Sequence, residues 1–177
     1  TDEVTQQLVE GFKISTQRLN ETLDDLIKIL LIKESTHVDV EQIHFSDMLE
    51  KTTTSLNMLI QENGVQITSD FSKAPSVVFS SAYLESIFLN LITNSIKYKS
   101  PHRRPHINIH SETTNSGIMV HFSDNGSGFD LKRVKDRVFG LYQRFHNNKD
   151  SKGIGLYLIK SQITALGGNI EVQSEED

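Results

Sequence analysis

The chain has 177 residues, of which 36% are hydrophobic and 23% charged, and its formal net charge is -5. That length fits one ordinary domain plus an appendage, and the acidic balance argues against a general nucleic-acid binder. The absence of cysteine excludes disulfides, thiolate metal sites and a thiol nucleophile. The longest apolar run, 26–32, is broken by Lys28 and is too short to span a bilayer, so this piece is expected to be soluble and to make no membrane contact. No signal peptide is visible, and the chain opens as if within a helix.

Residues 5–33 read as one long helix without proline. Val9, Phe12, Thr16, Leu19, Leu23, Leu26 and Leu30 recur at alternating steps of three and four, a heptad seam with Thr16 as its polar exception. Ile27, Ile29, Leu31 and Ile32 widen the apolar surface at the C-terminal end. Two readings are open: a helix packed on its own domain, or one arm of a dimerising helical bundle. Ser35-Thr36-His37 acts as a linker.

A short extended piece at 42–45 follows, then a helix through 62 with Ser46 as N-cap, stopped by Asn63-Gly64. Val65, Ile67 and Phe71 alternate as in a strand, and Val77-Val78-Phe79 reads as a short buried strand. Ser81 is placed to cap a helix over 82–99. Residues 101–105 form a basic loop. Ile107 and Ile109, then Ile118, Val120 and Phe122, flank Asn115-Ser116-Gly117 as a hairpin. A short helix is expected over 131–136 and a last helix from Gly153 to Gly167-Gly168, with Ile170 and Val172 closing the chain as a strand. The sum is an α+β fold, a two-layer sandwich of a mixed sheet with helices on one face, preceded by the long helix.

Chemistry concentrates at three places. On the 82–99 helix, Leu84, Ile87, Phe88, Leu91 and Ser95 share a broad face, and Asn90, Asn94 and Lys97 line a stripe beside it. Asparagine is a poor helix former, so the pair is either a solvated flank or a ligand site. In the second reading an amide oxygen of Asn94 binds Mg²⁺, with Asn90 beside it and Lys97 reaching phosphate oxygens. Asp124-Asn125-Gly126-Ser127-Gly128 follows a strand end. It is either an ordinary turn or a place where a carboxylate meets an exocyclic amine and glycines admit a flat ligand. Gly153-Ile154-Gly155-Leu156 heads an apolar helix whose free N–H groups suit phosphate, with Lys152 adjacent. The polar stretch between Phe129 and Gly153 is a surface loop, a mobile lid, or both. His102, Arg103, Arg104 and His106 read as a solvated basic loop rather than a binding patch.

These pieces, with Phe139-Gly140-Leu141-Tyr142-Gln143-Arg144-Phe145 between the second and third, resemble in order and spacing the N, G1, F and G2 boxes of sensor histidine kinases. The fold so implied is the Bergerat-type ATP-binding fold, shared with gyrase-type ATPases, Hsp90-type chaperones and mismatch-repair ATPases. Asn94 then resembles the Mg²⁺-ligating asparagine and Asn90 its helper, while Lys97 and Tyr98 resemble the nucleotide-contacting pair. Asp124 resembles the adenine-reading aspartate, Gly126 and Gly128 the turn glycines, and Arg144 the arginine that reaches the terminal phosphates. Lys152, Gly153, Ile154, Gly155 and Leu156 fall in the phosphate loop. Hydrolytic members carry a glutamate four residues before the metal asparagine, where this chain has Asn90. An amide is no general base at neutral pH, which favours phosphoryl transfer over hydrolysis.

The resemblance implies two parts: residues 1–36 as the second helix of the dimerisation bundle, its acceptor helix missing, and residues 39–177 as the catalytic ATP-binding domain. It further implies ATP and Mg²⁺ as ligands, a homodimeric parent, a response-regulator receiver domain as partner, and a cytoplasmic location. No histidine here stands in the phosphoacceptor motif. The F box departs from the family pattern, with Gly140-Leu141 replacing an acidic residue and proline, and the G2 box carries Ser151-Lys152. Alternatives are a catalytically inactive nucleotide-sensing module and a Bergerat-type ATPase.

Overall fold

A computed structural model describes residues 2–34, 38–134, 137–141 and 153–176. Helix α1 (Asp2–Glu34) is continuous, as its heptad pattern predicts. Val9, Phe12, Leu19, Leu23 and Leu30 of the seam are exposed, whereas Ile29 is buried. Thus one end of α1 packs on the rest of the chain while the seam does not. No helix among the described residues is long and apolar enough to cross a membrane.

Strand β1 (Glu41–His44) leads directly into α2 (Phe45–Ser55), and α3 (Asn57–Glu62) follows after a single break at Leu56. The expected single helix is therefore two. A run of hydroxyl side chains explains the break. Thr52 and Thr53 donate to carbonyls four residues back, at 2.8 and 2.9 Å, and Ser55 donates to Thr52 O at 2.8 Å. Such back-bonding bends helices. Ser46 is not the N-cap: His44 holds that position, and the first helical N–H, of Phe45, donates to Pro75 O at 3.0 Å. Asn63 and Gly64, the latter at φ 61°, end α3 as expected.

Strands β2 (Gln66–Asp70), β4 (His106–Thr114) and β5 (Gly117–Asp124) form one sheet in the order β2-β4-β5, with β2 parallel and β5 antiparallel to β4. Strand β3 (Ser76–Phe79) pairs instead with β1, antiparallel. It is only partly inside: Val78 is 67% exposed, because a two-stranded ribbon is not covered on both faces. On β4, Ile107, Ile109 and Ser111 point inward and alternate with partly exposed residues, as a half-buried strand requires.

Helices α4 (Ser81–Lys97) and α6 (Gly155–Ala165) join α2 over the inner face of the sheet, and a short α5 (Leu131–Val134) lies between them in sequence. Ser80 rather than Ser81 is the N-cap of α4, without a side-chain cap bond. The core unites Phe45, Phe88, Ile92, Ile107, Ile109 and Ile159, all nearly inaccessible. Each such side chain contributes about 1.5–3 kcal/mol on burial. Ile92 and Ile96 belong to the buried face of α4 together with the residues its periodicity picks out.

Residues 169–176 carry no strand, contrary to expectation. Ile170 packs on the core, but this segment makes no ladder with another described strand, and Ser174 Oγ instead accepts the Phe129 N–H at 3.0 Å. Apolar alternation there serves packing without a strand to pair with.

Candidate functional site

The C-terminal half of α4, the end of β5 and the start of α6 meet at one place. Asn90 and Asn94 are half-buried on α4, and the glycine loop before α6 rests against both. A Cβ on Gly155 would sit 3.1 Å from Asn90 Oδ1 and 3.4 Å from Asn94 Nδ2. Asn90 is not free to retreat, since its Nδ2 donates to Ser86 O at 2.8 Å. Gly155 is thus glycine for close approach, and Gly153 is glycine for its φ of 68°. Ile154 between them is buried and fixes the loop from below. Leu156 packs on the main core. Helix α6 begins at Gly155 rather than Gly153, with Ile154 as N-cap and, among the described residues, no side-chain cap for its first N–H groups.

Asp124 ends β5 and faces the same region. Its Oδ2 accepts the Ser95 hydroxyl at 2.8 Å and its Oδ1 accepts the Gly126 N–H at 2.8 Å. Each carboxylate oxygen keeps a further lone pair for a ligand N–H. The turn that follows is bound tightly to the end of α4: Ser127 N–H donates to Tyr98 O at 2.9 Å. A Cβ on Gly126 would lie 2.7 Å from that same carbonyl, so only glycine fits. Gly128 has φ 58°, and a Cβ there would run into the Glu175 carbonyl. Lys97 is exposed, its Nζ 5.8 Å from the centroid of the Tyr98 ring.

Two residues that hold the site were not read as such from the sequence. Ser95, placed on the apolar face of its helix, orients Asp124. Arg103, assigned to a solvated loop, donates from Nε to Asn125 O at 2.6 Å and from Nη2 to Gly126 O at 2.9 Å. It clamps the Asp124 turn from outside. The asparagine of that turn is also structural: Asn125 Oδ1 accepts the His106 N–H at 2.8 Å and Nδ2 donates to Arg104 O at 2.9 Å. Arg144 and Lys152 lie outside the described residues.

The donor set is coherent for a nucleotide. A carboxylate with spare lone pairs sits beside glycines that admit a flat group. A helix N-terminus without a side-chain cap among the described residues faces two amide side chains able to offer hard oxygens to Mg²⁺. The gap that a Gly155 Cβ would fill is the place where this cradle closes on the asparagines. Fold and site together define an ATP-binding α+β sandwich.

Residues 79–177 match the family of histidine kinase-, DNA gyrase B- and HSP90-like ATPases, and the chain belongs to it. Among similar proteins is cyanobacterial phytochrome A of Nostoc sp., 30% identical over 166 residues, covering 93% of this chain and 21% of that protein. The sensor protein RprX of Bacteroides fragilis is 24% identical, over 90% of this chain and 32% of its own length. The chain therefore spans about a fifth of the first of these relatives and about a third of the second. In structure it resembles the Acinetobacter baumannii histidine kinase AdeS, with a TM-score of 0.77, 19% identity, and coverage of 96% of this chain and 78% of that one. The full-length ShkA structure in complex with AMPPNP gives the same TM-score at 16% identity, covering 97% of this chain and 36% of the other.

Proposed function

We propose that the chain is the catalytic part of a sensor histidine kinase. ATP is held with its adenine against Asp124 and the Gly126–Gly128 turn and its phosphates at the Gly153–Leu156 loop. Asn94, assisted by Asn90, holds Mg²⁺, which neutralises phosphate charge when bound. Lys97, Arg144 and Lys152 add positive charge around the phosphates, and Tyr98 lines the nucleotide. Residues 39–177 form this domain and residues 1–36 the second helix of a bundle that dimerises the parent protein on the cytoplasmic side.

The observation that carries the reading is the approach of Gly155 to Asn90: an amide, not a carboxylate, faces the loop where the phosphates lie. With no general base at that position, water is not activated, and the γ-phosphoryl is kept for a better nucleophile. In transfer, a histidine nitrogen of an acceptor helix attacks the γ-phosphorus in line, the bond to the bridging oxygen breaks, and ADP leaves. The phosphoryl group then passes to an aspartate of a response-regulator receiver domain. The exposed seam of α1 supports a bundle partner for that helix.

The test is to mix the chain, Mg²⁺ and ATP with a folded polypeptide supplying the matched acceptor helix. Acid-labile phosphohistidine is expected, and its loss in Asn94→Ala. Tight nucleotide binding without phosphohistidine under these conditions would count against transfer and leave a nucleotide-binding module.

A further inference from the structure

Strand β2 is the edge strand of its sheet, and its open side lines a groove shared with α2 and α3. Its register with β4 settles which backbone groups point where. Gln66 N–H donates to Pro105 O at 2.9 Å, and Gln66 pairs with His106, so the even-numbered residues of β2 turn their N–H and C=O toward β4. Those of Ile67 and Ser69 turn the other way. Val65, one step earlier on the same side, donates its N–H to Ile60 O at 3.0 Å, which confirms the direction. No described strand pairs with β2 on that side.

Between this edge and the helices lies an open groove of about 670 Å³. Leu49, Ile60 and Ile67 give it an apolar floor, Thr53 and Asn57 a polar wall, and Glu50 the one charge among its lining residues. The wall is a single face of α2 and its continuation, at positions 46, 49, 50, 53, 54 and 57, as helical periodicity requires. Lys51, the one cation of α2, is turned away to Glu85 at 2.7 Å, and Glu50 has no ion-pair partner among the described residues. The strand itself, Gln66-Ile67-Thr68-Ser69-Asp70, carries neither the lysine nor the proline that commonly guard an edge.

We propose that this groove docks an extended, basic peptide segment of a partner protein, which adds to the sheet as a strand beside β2. The peptide exchanges main-chain hydrogen bonds with Ile67 and Ser69. Alternate side chains, about 7 Å apart, enter the groove. An aliphatic one fits over Leu49, Ile60 and Ile67, and a lysine or arginine meets Glu50. The volume falls within the usual range of ligand clefts, about 300–1,000 Å³. The site lies on β2, α2 and α3, includes none of Asn94, Asp124 and Gly155, and is independent of the nucleotide reading.

The test uses the whole chain as bait for a phage-displayed library of seven-residue peptides. Selected sequences are then synthesised with blocked termini. Expected are lysine or arginine alternating with aliphatic residues, and slowed hydrogen exchange at the Ile67 and Ser69 amides when peptide is bound. Glu50→Lys should weaken binding about tenfold or more through loss of a charge-assisted contact. Ser69→Pro should do the same by removing an edge donor that no ladder uses. Both variants should bind an ATP analogue as the parent does, which separates failure here from failure of the nucleotide site. No enrichment over the naive library would overturn the proposal. So would selected peptides that bind Glu50→Lys equally well, or a concentration-dependent dimer that already protects the Ile67 and Ser69 amides.

Discussion

Asp124→Asn isolates ligand reading from folding, and the hydrogen bonds around it show why. In the parent chain Asp124 accepts from Gly126 N–H and from Ser95 Oγ, both at 2.8 Å. The Ser95 hydroxyl also lies 3.0 Å from Leu91 O, yet it has one proton to give. In Asp124→Asn the new carbonyl oxygen keeps the Gly126 bond. The new amide nitrogen faces Ser95, whose proton turns to Leu91 O while its oxygen accepts from the amide. The turn thus keeps its bonds, and the folding cost should stay near 1 kcal/mol. For an exocyclic amine of a ligand the change is different in kind. A charged acceptor is replaced by one that is neutral, or by a donor. A hydrogen bond to a charged group contributes about 1.5–3 kcal/mol, so the dissociation constant of a non-hydrolysable ATP analogue should rise about tenfold to 150-fold. Calorimetric titration gives the affinity, and a thermal melt checks that the fold survives. An unchanged affinity in a folded Asp124→Asn chain would refute the assignment of Asp124 to the ligand. Ser95→Ala should lie between, because Asp124 is exposed enough for water to replace the lost donor.

Other perturbations follow from the same geometry. Gly155→Ala places a methyl 3.1 Å from Asn90 Oδ1, whose amide is tied to Ser86, so analogue binding in Mg²⁺ should fall about tenfold or more while the melting temperature moves little. An affinity equal to the parent's would show that the asparagines give way freely. Arg103→Ala releases two carbonyls of the Asp124 turn at an exposed site, for about 1 kcal/mol of stability, and should weaken analogue binding with or without Mg²⁺; titration in EDTA checks the second half. The Ser72 backbone N–H, then its side chain, hold the Asp70 carboxyl below its ordinary value. A depressed folded-state value means stabilisation that is present above the unfolded value, near pH 3.9, and lost as pH falls through the lower folded one. Asp70→Asn should flatten that acid limb in pH-dependent melts, and an identical limb would refute the contact.

The features legible in the sequence were local. The hairpin at Asn115-Ser116 was announced by alternation on either side and by Gly117, which sits at φ 130°. Helix α1 follows its heptads, and three of the four short motifs, on α4, after β5 and at the start of α6, come together at one place. What was not legible depended on partners far along the chain. Ser46 and Ser81 are good cap residues by composition, but the Phe45 N–H is satisfied by Pro75, 30 positions away, and no side-chain cap is needed. Arg103 reads as one more solvated cation until the Asp124 turn is folded against it. Ser95 fits an apolar face by spacing, and only the end of β5 turns it into a donor for Asp124. Ile170 and Val172 alternate like a strand, a pattern that burial alone also produces.

Helix α1 and the loop that leads into α6 share a small core of their own, and that sharing has a mechanical consequence. Ile29 of α1 is buried with Ile154 and Leu158, and Ile32, Leu141 and Tyr157 pack around them. Ile154 stands between Gly153 and Gly155, so the side chain that anchors the loop is itself anchored by α1. Along the seam from Val9 to Leu23, α1 is exposed, so this end carries the apolar packing of α1 seen among the described residues. Ile29→Ala removes most of that contact, and truncating a buried isoleucine costs about 2–5 kcal/mol when the surroundings cannot collapse. The loss should be local rather than global, because the main core around Ile92, Ile107 and Ile109 is a separate cluster. Hydrogen exchange should then accelerate at amides of α1 near Ile29 and at the start of α6, with β4 unchanged. Analogue affinity should fall as the loop loses its preset position. Equal acceleration in β4 would mean that the two clusters unfold as one. No acceleration at the start of α6 would mean that the loop holds its shape without α1, and that a displacement of the helix is not felt at Gly153 to Leu156.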